Sequence, residues 1–263
     1  MLKKLSYKIR SLGILRRFDN FFQLLVAHAF YPKGLITYVW KGRSLIVDGR
    51  RQETAGGIHP VLILGEYNQF LDLLKADSVK QVLDLGANVG SFTVLIAERF
   101  STLEQLVLVE GDSSVLPRLY YNAHSALPGK VDIIHGAACG KDGEVTFHQN
   151  PTSVGSGIEN FAGGQGVAET VKSYSLASLI DEKFPDGLID ICKMDIEGSE
   201  YEAIASLRCG QLQKIRLLII EMHAGEEEDL KLIDGIVRNG FVHHASGIGG
   251  NHRTHGFLNQ NGH

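Results

Sequence analysis

The chain has 263 residues, 44% of them hydrophobic, and a formal net charge of −4. That length allows one large domain or a domain with an appendage, with apolar mass enough for a sizeable core, and the charge gives no reason to expect nucleic acid as a partner. Three widely spaced cysteines, Cys139, Cys192 and Cys209, form no CxxC pair, which argues against a disulfide framework and a zinc site and suits a cytoplasmic, reducing setting.

Residues 1 to about 30 read as one or two helices. Lys3, Lys4, Lys8, Arg10, Arg16 and Arg17 precede the first acid, Asp19, and Leu2, Leu5, Ile9, Leu12 and Leu15 recur at helical spacing. Such a basic amphipathic helix suits peripheral contact with an anionic membrane surface. It suits equally a helix packed on its own domain or on a second subunit, since basic helical faces are usually just solvated. The apolar run Phe21 to Tyr31 is too short to cross a bilayer and contains Gln23 and His28. Arg16, Arg17 and Asp19 also break the pattern of a signal peptide.

Residues 35 to 64 look β-rich: LITYVW and SLIVDG flank a hairpin turn at Lys41-Gly42, and VLIL follows at 61–64. This gives an N-terminal helical and β extension over 1–64 and a main domain over 65–263, which Gly65-Glu66-Tyr67 opens. From residue 78 strand and helix alternate. Strands are expected at 81–85, 105–109, 131–134, 189–194, 215–221 and 241–245, and helices at 91–99, 113–124, 175–183, 198–207 and 226–238. The alternation predicts an α/β fold with a doubly wound, mostly parallel sheet and helices on both faces. A last strand near 254–258 would close a terminal hairpin. Residues 150–168, with five glycines and little periodicity, read as an active-site lid or a mobile surface insertion.

Within VLDLGANVGSFT, residues 82–93, an apolar strand runs into Gly86-Ala87-Asn88-Val89-Gly90 and then a helix. Strand, glycine turn and helix in that order bind a nucleoside at the carboxyl end of a strand. A dinucleotide turn carries GxGxxG facing a pyrophosphate; here Asn88 replaces the middle glycine. The turn therefore suits S-adenosylmethionine, which has no phosphate. Gly86 and Gly90 let the backbone approach the ligand, Asp84 offers charge to its ammonium, and Asn88 bonds either end of its amino-acid part. Glu110, ending the next strand, is placed for ribose hydroxyls. Small residues at Gly136, Ala137 and Ala138 leave room for adenine.

The reaction chemistry falls on two later strand ends. Asp195 ends an apolar strand, where loops build α/β active sites. Glu197 and Glu200 follow at a helix start, where acids are also stabilised by the helix dipole. Glu221 and His223 alternate along the next strand and share a face. These groups suit orientation and deprotonation of a substrate hydroxyl, with His223 as base. They also admit a divalent cation, although spacing alone assigns no metal. His243, His244, His252 and His255 match no firm metal motif and fall on the terminal hairpin.

The chain resembles the FkbM-type family of S-adenosylmethionine-dependent methyltransferases, through GEY at 65–67, VLDLGANVGSFT at 82–93, LVEGD at 108–112, KMDIEGSEYEAI at 193–204 and IIEMH at 219–223. The resemblance implies a seven-stranded Rossmann-like sheet of the class I methyltransferase type and O-methylation of a sugar, glycan or natural-product hydroxyl. It places Glu66, Tyr67, Asp84, Gly86, Ala87, Asn88, Gly90, Ser91, Phe92, Glu110, Gly111 and Ala137 at the cofactor. It sets Asp195 between cofactor and acceptor, with Glu197 and His223 beside it. Two rival readings are a nicotinamide-dependent (NAD-type) oxidoreductase and a non-catalytic binding protein that keeps the fold.

Overall fold

The computed structural model describes residues 12–152, 155–158, 166–245 and 253–260. The basic start of the chain through residue 11, residues 153, 154 and 159–165 of the glycine-rich segment, and His252 therefore lie outside the described residues. The sheet runs in the order β11-β12-β10-β9-β3-β4-β5. Its strands are β3 (Gln81–Leu85), β4 (Gln105–Glu110), β5 (Val131–His135), β9 (Ile189–Met194), β10 (Ile215–Glu221), β11 (Phe241–Ala245) and β12 (Thr254–Asn259). All neighbours pair in parallel except β12, which is antiparallel to both β10 and β11. This is the doubly wound, mostly parallel seven-stranded architecture expected from the sequence, terminal hairpin included.

The chain winds outward from β3 toward β5 and, later, from β9 toward the other edge. The order therefore reverses between β3 and β9, and a crevice opens at their carboxyl ends. Apolar residues on β3 alternate between two cores. Val82 joins the cluster that holds Phe18, Leu24, Tyr38 and Phe70 from the amino-terminal segment, and Leu83 and Leu85 join the cluster on the other face.

The described residues up to 64 pack into that first cluster. Helix α1 (Phe21–Phe30) buries Leu24 and leaves Phe22, Val26 and Phe30 exposed. Strands β1 (Leu35–Trp40) and β2 (Arg43–Asp48) form the expected hairpin. Lys41 and Gly42 both have positive φ, 47° and 77°, the backbone that a two-residue turn of this hand requires. No described helix is long and apolar enough to cross a membrane.

VLIL at 61–64 is not a strand. Thr54–Leu64 forms a π-helix that buries Ile58, Val61, Leu62 and Ile63. Three consecutive buried residues cannot lie on one face of a pleated strand. The paired glycines 56 and 57 and Pro60, which has no N–H to satisfy, make the widened turn tolerable. Gly65 closes it in a left-handed conformation, and the following helix α2 is only Asn68–Leu71.

A second departure lies between β5 and α5 (Leu176–Lys183). Strands β6 (Ala137–Cys139), β7 (Gly143–Gln149) and β8 (Val167–Ser175) build a separate three-stranded sheet in the order β6-β8-β7. Only four of the sixteen residues of β7 and β8 are buried, and the sheet's own core is Ala137, Phe147 and Val171.

The crossing of β3 and β9 is close. A Cβ on Gly86 would stand 1.8 Å from the carbonyl oxygen of Asp195, and Gly86 has a φ of +80°. Gly86→Ala is therefore expected to cost ~2 kcal/mol or more, measured as a lowered midpoint in urea denaturation with an unchanged m-value.

Candidate active site

The crevice has two lobes that meet at the glycine turn. Glu110, Gly111, Gly136, Ala137, Ala138 and Phe147 line the first lobe. The second is lined by Glu66, Tyr67, Ala87, Ser91, Phe92 and Glu221 among others. Gly56, Gly86, Asn88 and Asp195 line both, so they mark the junction.

The turn is fixed by backbone geometry and one carboxylate. Asn88 takes a left-handed φ of 48°, which an Asn adopts more readily than most residues. The Asn88 N–H donates to Glu110 Oε2 and the Asp112 N–H to Glu110 Oε1, each at 2.7 Å. Burial pushes the Glu110 carboxyl up to about 7 despite these two bonds, which favour its charge. Gly90 lines neither lobe. A Cβ there would meet Leu119 at 3.1 Å, so helix packing and its positive φ account for this glycine.

Asp84 departs from the expectation. Its side chain is wholly buried and lines neither lobe; it faces the ammonium of Lys193 at 3.2 Å. The two are register partners across β3 and β9. Lys193 Nζ also donates to the Gly86 carbonyl at 2.8 Å and stands 3.7 Å from Asp195 Oδ2. Burial opposes the lysine's charge, but Asp84 and Asp195 outweigh it and its pKa is raised. It is Lys193 that lines the second lobe, so Asp84 acts on the crevice through its cation.

Beyond the junction stand Asp195, Glu197 and His223. Glu200, buried at the start of α6 (Glu200–Ala205), accepts from the N–H groups of Ile196 and Gly198 and bonds His223 Nδ1 at 2.9 Å. This fixes the ring and turns Nε2 toward Glu197 Oε2 at 3.4 Å, Asp195 Oδ1 at 3.9 Å and Glu221 Oε1 at 4.0 Å. Burial works against charge on the ring. The Glu200 bond and the charges of Glu200, Asp195 and Glu197 prevail, raising its pKa to about 9. One ligand atom from each of Asp195, Glu197 and His223 falls within 4.8 Å of the others, so among the described residues this trio, with Glu197 in place of Glu221, is a group able to hold a metal.

Several residues at the crevice escaped the sequence reading. Phe147 comes from the unforeseen β7 and covers Gly111, where a Cβ would stand 2.4 Å from its ring. Gly56 comes from the π-helix. The one available signal was the lysine in KMDIEG, a cation inside an apolar strand. The described part of the glycine-rich segment reaches the site: Gly155 N–H donates to Glu197 Oε1 at 2.9 Å, and Ser156 Oγ to Asp112 Oδ2 at 3.2 Å. His243, His244 and His255 stand elsewhere, on the terminal hairpin, where His243 Nε2 and His255 Nδ1 lie 2.9 Å apart.

The profile of the methyltransferase FkbM domain matches residues 84–244, more than half of the chain, and the chain belongs to that family. The AMB antimetabolite synthetase AmbE of Pseudomonas aeruginosa is 26% identical over 186 residues; the match covers 57% of this chain and 9% of that protein. The chain thus spans under a tenth of the length of this curated relative. Among solved structures, precorrin-6y C5,15-methyltransferase from Geobacter metallireducens superposes with a TM-score of 0.43 at 9% identity, over 73% of this chain and 87% of that one. TrmK of M. capricolum, solved with S-adenosyl-homocysteine, gives 0.43 at 14% identity, over 76% and 69%.

Two outcomes follow from the buried charges. Lys193→Met leaves Asp84 buried without its cation and should cost about 3–5 kcal/mol, while Asp84→Asn combined with Lys193→Met should recover part of that loss in the same urea titration. Glu110 keeps its proton up to about pH 7 when folded, against an ordinary value of 4.5. The folded state then binds more protons than the unfolded state between these values, so stability falls as pH rises through that window. In Glu110→Gln this fall should shrink, read from denaturation midpoints between pH 4.5 and 7.

Proposed function

We propose that the chain transfers a methyl group from S-adenosylmethionine to a hydroxyl of a sugar, glycan or natural-product acceptor. The observation that carries this reading is the place of Asp195: it lines both lobes of the crevice and faces His223 on the outer side. The first lobe suits adenosine, with Glu110 toward the ribose hydroxyls and Phe147 and the small residues 136–138 about the adenine. The second suits the methionine end, with Glu66 and Ser91 as polar partners and the Lys193 cation toward its carboxylate. The sulfonium then falls at the junction. Family membership supports methyl transfer over the nicotinamide alternative.

When bound, S-adenosylmethionine supplies an already activated methyl group, so much of the rate comes from positioning. The acceptor oxygen bonds to the methyl carbon as the carbon–sulfur bond breaks. Sulfur takes the bonding pair and becomes a neutral thioether, and the hydroxyl proton passes to the protein. Asp195 orients the hydroxyl and His223 Nε2 receives its proton, with Glu200 holding the ring. The pKa near 9 keeps the ring charged at neutral pH in the free protein; a sulfonium at the junction opposes that charge and favours the neutral, proton-accepting form.

Calorimetric titration should show heat with S-adenosylhomocysteine and none with NAD; the reverse result overturns the assignment. Tritiated-methyl transfer into a cell extract tests turnover against a binding-only role. His223→Ala should bind S-adenosylhomocysteine as the wild type does and lose about 10²-fold or more in kcat. Full activity in that variant would remove His223 from the reaction.

A further inference from the structure

We propose that Asp195, Glu197 and His223 form a binding site for one divalent first-row cation, with open positions for the acceptor's oxygen. The inference deepens the methyl-transfer reading and rests on it for the cation's use, though not for its binding. The first ground is separation. His223 Nε2 stands 3.4 Å from Glu197 Oε2 and 3.9 Å from Asp195 Oδ1, longer than a normal hydrogen bond. Atoms that each bind one ion at about 2.0–2.2 Å in a tetrahedral or similar arrangement stand apart by about this much.

The second ground is how each group is held from behind. The His223 side chain is 10% exposed, its Nδ1 is committed to the buried Glu200, and Nε2 alone faces the centre. Glu197 gives Oε1 to the Gly155 N–H and leaves Oε2 inward. Asp195 turns Oδ2 toward Lys193 and Oδ1 toward His223. All three therefore present one atom inward while a second atom meets an outer partner, which is the arrangement that orients ligands around a metal. One imidazole and two carboxylates form a mixed set that suits Mn²⁺, Fe²⁺ or Zn²⁺ better than a purely oxygen-seeking ion.

Three protein ligands leave positions open. An acceptor hydroxyl bound there becomes more acidic, releases its proton to solvent and attacks as an alkoxide held beside the sulfonium. The methyl carbon then exchanges its bond to sulfur for one to that oxygen. With the cation bound, His223 Nε2 ligates it and this route supersedes proton transfer to the imidazole, which serves as base only in the cation-free protein.

The test uses the full chain stripped with EDTA and dialysed. Titration with MnCl₂, followed by the loss of the free-Mn²⁺ paramagnetic resonance signal, should show one site per chain, with ZnCl₂ and MgCl₂ as competitors. Glu197→Gln and His223→Asn should each weaken Mn²⁺ binding tenfold or more while leaving S-adenosylhomocysteine titration unchanged. Absence of binding by all three cations overturns the site, as does undiminished Mn²⁺ binding in both variants. Stripped enzyme that transfers methyl groups at full rate also overturns it and leaves the methyl-transfer reading standing. Variant-sensitive Mn²⁺ binding to a protein that neither binds S-adenosylhomocysteine nor transfers a methyl group upholds the cation site and overturns the methyl-transfer reading instead.

Discussion

A single buried ammonium, that of Lys193, ties the two halves of the sheet together where the crevice opens. It donates to the Gly86 carbonyl and lies against Asp84 on one strand and Asp195 on its own. An ion so deeply buried is tolerable only when its charge is matched and its hydrogens are taken up. The two carboxylates match the charge and the Gly86 carbonyl accepts a hydrogen, and together they define the site. Gly86 is drawn against the end of β9 so closely that no side chain fits. The junction of the two lobes is consequently a fixed point rather than a flexible loop.

Around that point the charges are sorted by depth. Asp84 is spent on Lys193 inside the sheet. Glu110 is held by two backbone N–H groups, but burial outweighs them and leaves its carboxyl hard to ionise. Asp195, Glu197 and His223 stand nearer to solvent, each only partly exposed. Glu200, wholly buried beneath them, braces both the turn at 196–198 and the imidazole. One acid at the start of a short helix thus orders a turn and a ring that come from different strands.

The sheet was legible because its strands are apolar runs of the right length between turn residues. β3, β9 and β10 begin and end where the sequence pattern puts them. VLIL failed because a four-residue apolar run carries no period to separate strand from helix. The β6–β8 sheet was missed because β6 is three residues long and β7 and β8 bury only four of their sixteen residues, so little hydrophobic signal marks them. With it went Phe147, the one large buried side chain of β7. Asp84 was found but turned the wrong way, since its pairing with Lys193 depends on register between strands 109 residues apart in the chain, which local pattern does not reveal. The trio at the crevice mouth was legible because carboxylate and imidazole at consecutive strand ends have few other uses; its geometry was not.

The π-helix at Thr54–Leu64 bears on what counts as the working unit. The family profile begins at residue 84, yet Gly56 lines both lobes and Glu66 and Tyr67 line the second. The amino-terminal segment also supplies Glu53, to which Arg118 of α4 (Leu116–Ala126) donates through Nε and Nη2. A fragment trimmed to the matched boundaries would keep the strands and the glycine turn but expose the apolar faces of α3 (Ser91–Arg99) and α4 that the removed segment covers. It would also lose one wall of the crevice. The recognisable domain and the stretch of chain that builds the crevice are different lengths of polypeptide.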